Sequence, residues 1–175
     1  MEIISREILR LDRVVRTFLD FSRPVELKLA NMAVHDLVGE LVDLARPQAA
    51  AANIQILTNE DSDGAEVRVD RDLMKQAVLN VVVNAMQAMP EGGELRFESA
   101  VNGEMVEIRV TDTGGGIPEQ LREKIFRLYF STKTKGSGIG LAMTFRIVQL
   151  HDGTIDFTSE PGKGTCFLIR LPIAV

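Results

Sequence analysis

Residues 77–86 read Ala77-Val-Leu-Asn80-Val-Val-Val-Asn84-Ala-Met86, two asparagines four positions apart in an otherwise apolar run. Side chains at i and i+4 share one face of a helix. Two amides therefore converge on one spot of a helix that the apolar residues drive into a core. Burying amides costs free energy unless they find partners. A polar group must face Asn80 and Asn84, and naming it comes close to naming the function.

The flanks of this run set the rest of the architecture. Asp70 is a plausible N-cap for the asparagine helix, which must stop before Pro90. Glu91-Gly92-Gly93 turns the chain into two alternating runs, 94–101 and 105–111, joined at Asn102-Gly103. Asn-Gly between alternating strands is a strong hairpin signal. Residues 154–159 and 165–171 read as a second hairpin around 161–164, preceded by a helix from about Ile139 to Leu150. Upstream, residues 27–33 read as a short strand and residues 34–44 as a helix, with Pro47 kinking or restarting it. Residues 54–58 read as a strand, 59–64 as an acidic loop, and 67–69 as a brief strand. A short helix is expected over 119–126. Antiparallel strands with helices to cover one face give an α+β, two-layer sandwich with a mixed, mostly antiparallel sheet.

An N-terminal helix precedes this body. Ile4, Ile8, Leu11, Val15 and Phe18 are spaced four, three, four and three apart, a heptad seam. It either packs on the body or joins a helical bundle, and Ser22-Arg23-Pro24 ends it.

Composition excludes several classes. The 175 residues suit one compact domain with a small appendage, and 45% apolar with 26% charged residues is ordinary for a globular protein. A net charge of −5 argues against a nucleic-acid footprint. A lone cysteine, Cys166, rules out an internal disulfide, and one cysteine with two histidines makes a structural zinc site a poor fit. No apolar run is long enough to span a bilayer, so no membrane contact and a cytoplasmic location are the expectation.

Two glycine-rich segments carry chemistry. Asp112-Thr-Gly114-Gly-Gly116-Ile117 follows a strand directly. A carboxylate there can accept from an amino group, and the glycines let backbone approach a flat ligand; an acidic turn would read the same way. Gly136-Ser-Gly138-Ile-Gly140-Leu141 opens a helix, where exposed N–H groups and the helix N-terminus can cradle phosphate. Taken alone, this could equally be a flexible loop. It is not a Walker loop, since no Gly-Lys-Ser/Thr follows, nor a Rossmann turn, since no hydrophobic strand precedes it.

In order, Asn80-x-x-x-Asn84-Ala, Asp112-x-Gly-x-Gly116, Phe126-x-x-x-Phe130, Gly136-x-Gly-x-Gly140-Leu141 and Gly164-Thr165-x-Phe167 are far more specific than any one alone. Together they resemble the catalytic, ATP-binding domain of sensor histidine kinases, the Bergerat nucleotide fold shared with gyrase and MutL. Residues 11–24, with Leu-Asp-Arg-Val-Val and Phe-Leu-Asp-Phe-Ser-Arg-Pro, resemble the second helix of that family's dimerisation and phosphotransfer hairpin. The division implied is 1–24 for that helix and 25–175 for the catalytic domain.

The resemblance implies ATP and Mg²⁺ as cofactors. Asn84 would ligate Mg²⁺ through its amide oxygen and Asn80 would support the metal and phosphate side. Asp112 would accept from the adenine amino group, with Gly114, Gly116 and Ile117 shaping the pocket floor and Thr165 helping through its hydroxyl. Phe126 and Phe130 would flank a lid running to about Gly138. Lys133 would reach the phosphates, which Gly136, Gly138, Gly140 and Leu141 cradle. Many relatives carry a basic residue one turn after the second asparagine; here it is Gln87. The partners implied are a histidine-bearing dimerisation helix, a response regulator receiver domain and a second copy in a homodimer.

Neither histidine fits as the phosphoacceptor. His35-Asp36 is followed by Gly39-Glu40, not by the proline of the acceptor motif, and lies after Pro24; it reads as a surface helical residue. His151-Asp152-Gly153 reads as a helix end. The acceptor is therefore expected on a helix outside this chain. Cys166 reads as a small core residue on an apolar strand, and Asp70 and Asp72 as helix-start charges. Two other classes remain to be weighed. One is an ATP-hydrolysing conformational switch, whose members carry a glutamate where Asn80 stands. The other is a nucleotide-sensing module without kinase activity.

Overall fold

A computed structural model describes residues 26–62, 64–132 and 136–174; the N-terminal helix read from residues 1–24 and the Lys133 position lie outside the described residues. The elements run β1 (Ala30–Ala33), α1 (Val34–Ala51), β2 (Ile54–Asp61), β3 (Glu66–Val69), α2 (Arg71–Gln87), β4 (Gly93–Asn102), β5 (Met105–Asp112), α3 (Glu119–Arg122), α4 (Gly140–Leu150), β6 (Thr154–Glu160) and β7 (Gly164–Pro172). Five strands form one sheet in the order β2-β4-β5-β7-β6. Among the described residues, only the β2–β4 pair is parallel. β1 and β3 make a separate antiparallel ribbon, joined to the end of β7 by a bridge between Val67 and Ile173. This is the expected α+β arrangement.

Period-two alternation sends Leu95, Phe97, Val106, Ile108, Val110, Phe167, Ile169 and Leu171 into the core beneath the helices. Glu94, Arg96, Arg109 and Arg170 occupy the opposite, open face. α1 meets the sheet with Val34, Leu37, Val38, Leu41 and Val42, and α2 with Met74, Ala77, Val78, Val81, Val82 and Ala85. Both sets follow helical three-and-four spacing, which places one stripe of each helix on the core.

Several boundaries depart from the local reading. α1 does not stop near Leu44 or restart at Pro47: it runs to Ala51 with Pro47 inside. Pro47 and Asp43 lie on the exposed side, where water can serve the carbonyl that proline leaves without a partner. Ala45 and Ala49, buried on the other side, hold the final turns down. Residues 59–61, read as loop, extend β2 by parallel pairing through Asp61 and Ala100. As the outermost strand, β2 tolerates such polar residues, and charge on an edge discourages further pairing. The first hairpin pairs Asn102 with Met105, so Gly103-Glu104 is the loop and the turn sits one residue later than expected. The short helix ends at Arg122 rather than Phe126. Cys166 lies half-buried on the open face, not in the core, because the alternation of β7 gives the core side to Thr165 and Phe167.

The N-terminus of α2 is tied down twice. Asp70 caps it, accepting from the Leu73 amide at 3.2 Å and, through its other oxygen, from the Lys28 amide at 2.9 Å. The Asp70 N–H in turn donates to Nε2 of His151 at 2.9 Å, while Nδ1–H of that ring donates to the Ile147 carbonyl at 2.7 Å. His151 is thus the neutral Nδ1–H tautomer and is buried, a helix end as expected but one that also welds α4 to the start of α2.

Candidate functional site

A cavity of about 400 Å³ opens between α2, the segment after β5 and the entrance to α4. Asn80, Asn84, Asp112, Gly116, Ile117, Phe130, Gly136, Gly138, Gly140, Leu141 and Thr165 all line it. Residues spread over more than eighty positions of sequence are thereby brought to one place.

Asp112 ends β5 and Thr165 is the second residue of β7, and the two are direct cross-strand partners. Both are buried, at 3% and 5% exposure. Oδ1 of Asp112 accepts from the Gly114 amide at 2.8 Å, which folds the chain sharply back after the strand. Gly114 itself does not line the cavity. It packs behind the wall on the Ala88 carbonyl, and the neighbouring Gly115 amide donates to that carbonyl at 3.2 Å. Gly116 has φ +71° and lies against the carbonyl of Glu160, where any side chain would collide. The floor therefore needs glycine here for both backbone sign and space.

Asn80 and Asn84 face the cavity from α2 with set orientations. Asn84 donates its amide nitrogen to the Asn80 backbone carbonyl at 2.9 Å, and Asn80 donates to the Gly140 carbonyl at 3.1 Å. The second bond crosses from α2 to the first turn of α4. The Thr144 hydroxyl reinforces the same junction, 2.8 Å from the Ala77 carbonyl and 3.1 Å from that of Gly140. Gln87, one turn beyond Asn84, also lines the cavity.

Phe126 and Phe130 are placed differently. Phe126 does not line the cavity; its ring packs with Phe145, Phe157 and Phe167 at centroid separations of 5.5, 6.0 and 6.4 Å. Phe130 does line it. Gly138, at φ +68°, presses on the backbone of Tyr129 and Phe130.

Three side chains matter here that the local reading did not single out. Ser159 accepts from the Ile117 amide at 2.8 Å and contacts the Gly164 carbonyl and the Thr165 hydroxyl, each at 2.9 Å. Arg122 donates to the Ser159 carbonyl at 2.6 Å. Thr144 is wholly buried. A hydroxyl at a core position of α4 was the one visible signal among them. The histidines stay away from the site: His35 is exposed on α1 and pairs with Glu60 at 2.6 Å. Among the described residues no three His, Cys, Asp or Glu side chains gather as a metal cluster, and no helix is long and apolar enough to cross a membrane.

The model of the histidine kinase-, DNA gyrase B- and HSP90-like ATPase family matches residues 69–175, which hold every element of this cavity. The chain belongs to that family. Among curated relatives, the sensor histidine kinase ZraS of Escherichia coli is 34% identical over 99% of the chain, and the chain spans 37% of ZraS. Sporulation kinase C of Bacillus subtilis is 32% identical over 98% of the chain, which spans 40% of that relative. Among solved structures, full-length ShkA in complex with AMPPNP superposes with a TM-score of 0.83 at 26% identity, covering 97% of this chain and 36% of that one. Histidine kinase ThkA in complex with the response regulator TrrA gives 0.81 at 29% identity, over 98% of this chain and 50% of that one. Within the ATPase family, this is a catalytic ATP-binding domain of the sensor histidine kinase kind.

Proposed function

We propose that the chain binds magnesium–ATP in this cavity and is the part of a sensor kinase that presents the γ-phosphoryl group to a histidine on a dimerisation helix. The observation that carries the reading is the meeting, in one cavity, of the buried acceptors Asp112 and Thr165, the amides of Asn80 and Asn84, and the glycine-rich entrance to α4. Asp112 takes the adenine amino group, and the N–H groups at the start of α4 receive phosphate oxygens. Leu141 and Ile117 supply apolar wall to a flat base.

The donor set suits magnesium. Because Asn84 commits its NH₂ to the Asn80 carbonyl, its amide oxygen is the atom to offer a metal. Neutral oxygen donors, with no carboxylate cluster among the described residues, fit a hard cation that arrives on a triphosphate. Bound magnesium would neutralise charge on the phosphates during transfer. Lys133 is proposed to add a mobile cation at the phosphates, alongside Gln87 on the wall.

The chain spans little more than a third of ZraS, so the whole protein's activity is inferred from kinship. The ThkA–TrrA complex supports a response regulator receiver domain as the partner that takes the phosphoryl group onward. Residues 1–24 are proposed as the second helix of a homodimeric hairpin, and the location as cytoplasmic.

Hydrolysis is the reading that the chemistry disfavours. An amide at position 80 cannot take a proton from water as a glutamate can, and Asn80 spends its NH₂ on the Gly140 carbonyl. Calorimetric titration of ATP with and without Mg²⁺ into wild type and Asn84→Ala tests the proposal. Wild type is expected to bind ATP more tightly with Mg²⁺, and Asn84→Ala to lose that enhancement. No heat from wild type sinks the nucleotide reading.

A further inference from the structure

We propose that Arg122 is a positioning residue: it latches the α3 side of the cavity onto the end of β6 and so holds that wall in its binding shape before a ligand arrives. Resting on the nucleotide reading of the same pocket, this role explains how one of its walls is kept in place. Ile117, Pro118, Leu121 and Ile125 line the cavity from this side, whereas Arg122 itself does not.

α3 is one short turn, Glu119–Arg122, and none of its residues is buried. A single turn is not stable by itself, so bonds to the body must hold it. Arg122 supplies them. A terminal guanidinium nitrogen donates to the Ser159 carbonyl at 2.6 Å, and Nε donates to the Ile117 carbonyl at 3.4 Å. Ile117 is gripped from its other side too, its N–H donating to Oγ of Ser159 at 2.8 Å. Close by, the Gly162 N–H donates to the Gly115 carbonyl at 2.9 Å. Residues 115–122 are thus stitched to residues 159–162 along their length. Among the described residues, both hydrogen-bond partners of Arg122 are backbone carbonyls and no carboxylate forms a salt bridge with it. The planar fork serves geometry here, joining two distant stretches of backbone through one rigid group.

The consequence for binding follows from populations. Without the latch the wall leaves its place in a fraction of molecules, and the affinity of any ligand that needs the wall falls by the fraction still in place. That factor is the same for every ligand that fills this end of the cavity, with or without phosphates. An arginine that instead touched phosphate would make a charge-assisted bond to ATP and none to adenosine. The two roles therefore separate on ligands that differ only in their phosphates.

The test titrates ATP, ADP and adenosine calorimetrically into wild type, Arg122→Ala and Arg122→Lys, with adenosine measured by competition against ATP. Arg122→Ala is expected to weaken all three by one common factor of about ten, the scale of one charge-assisted hydrogen bond. Arg122→Lys, which keeps the charge and loses the fork, is expected to recover only part of that loss. Amide hydrogen exchange of the ligand-free chain gives a second readout. In Arg122→Ala the amides of Ile117 and Leu121 should exchange faster, while those of β5 keep their wild-type rates. A loss confined to ATP and ADP makes Arg122 a phosphate contact and overturns the proposal. Unchanged affinity in the folded variant overturns it as well, and so does exchange that quickens equally through β5, which would reduce the arginine to overall stability. If Arg122→Ala does not fold, Arg122→Lys decides by the same comparisons. Wild type that takes up no ligand overturns the nucleotide reading itself, and the exchange measurement still tests the latch.

Discussion

The side chain of Asn80 donates to the backbone carbonyl of Gly140, 60 residues away, at 3.1 Å. This bond ties the first turn of α4 to the cavity-facing side of α2. The buried Thr144 hydroxyl shares the same carbonyl and reaches back to Ala77. Thr144→Val keeps the shape and removes the hydroxyl, which should cost about 1 kcal/mol of stability. Because the bond lies between the two walls, ATP affinity should also fall in the folded variant. Denaturant titration together with calorimetry separates the two effects, and a stability loss with unchanged affinity would show that the junction does not position the cavity.

Asp70 and His151 make a second weld between the same helices, on the buried side. Although burial opposes ionisation, amides of Lys28, Leu73 and Asp72 hold the Asp70 carboxyl below its ordinary value of 3.8. Asp70→Ala removes the cap and should lower stability by about 1–2 kcal/mol. Asp70→Asn retains an acceptor for the Leu73 amide and should recover much of the loss. Chemical denaturation at neutral pH checks both, and equal destabilisation by the two variants would rule out capping as the cause.

Glu107 predicts how the fold responds to acid. It is 4% exposed on the open face of β5, bonded by Asn102 and Arg170 at 3.2 Å each and paired with Arg109. The hydrogen bond from Asn102 leads in holding its carboxyl below 4.5, with burial opposing and Arg170 assisting. A carboxyl with a depressed folded value stabilises fully above its unfolded value, and that stability is lost as pH falls through the folded value. Stability should therefore be flat in this respect above pH 4.5 and drop below it. Glu107→Gln should be less stable than wild type at neutral pH, and the gap should narrow on acidification below that point. A gap independent of pH down to acid unfolding would refute the ionic role.

What could be read from the sequence divides by the range of the forces involved. The asparagine pair, the aspartate–glycine turn and the glycines at the start of α4 were legible because each encodes a local demand: one helix face, one tight turn, one exposed helix end. Their convergence in one cavity was anticipated from family resemblance and is borne by cross-strand register, as between Asp112 and Thr165. Pro47 and residues 59–61 misled because tertiary packing and sheet pairing outweighed local breakers. Ser159 and Thr144 stayed hidden for a related reason. Their partners Ile117 and Ala77 lie 42 and 67 residues away, and a hydroxyl looks the same in sequence whether it faces water or completes a pocket.

Gly138 offers a test in which backbone strain and contact can be separated. Its φ is +68°, and an added Cβ would lie 2.5 Å from the Tyr129 carbonyl carbon and 2.7 Å from the Phe130 nitrogen. Gly138→Ala therefore pays for a left-handed backbone, about 1–2 kcal/mol, and also pushes the 129–130 segment away. Since Phe130 lines the cavity, ATP affinity should fall along with stability. Gly64→Ala is the control: φ there is +70°, with open space around the added carbon. It should show the strain cost in thermal unfolding and leave nucleotide affinity unchanged. If both variants bind ATP like wild type, Gly138 is needed only for its backbone angle, and its contact with Phe130 does not shape the site.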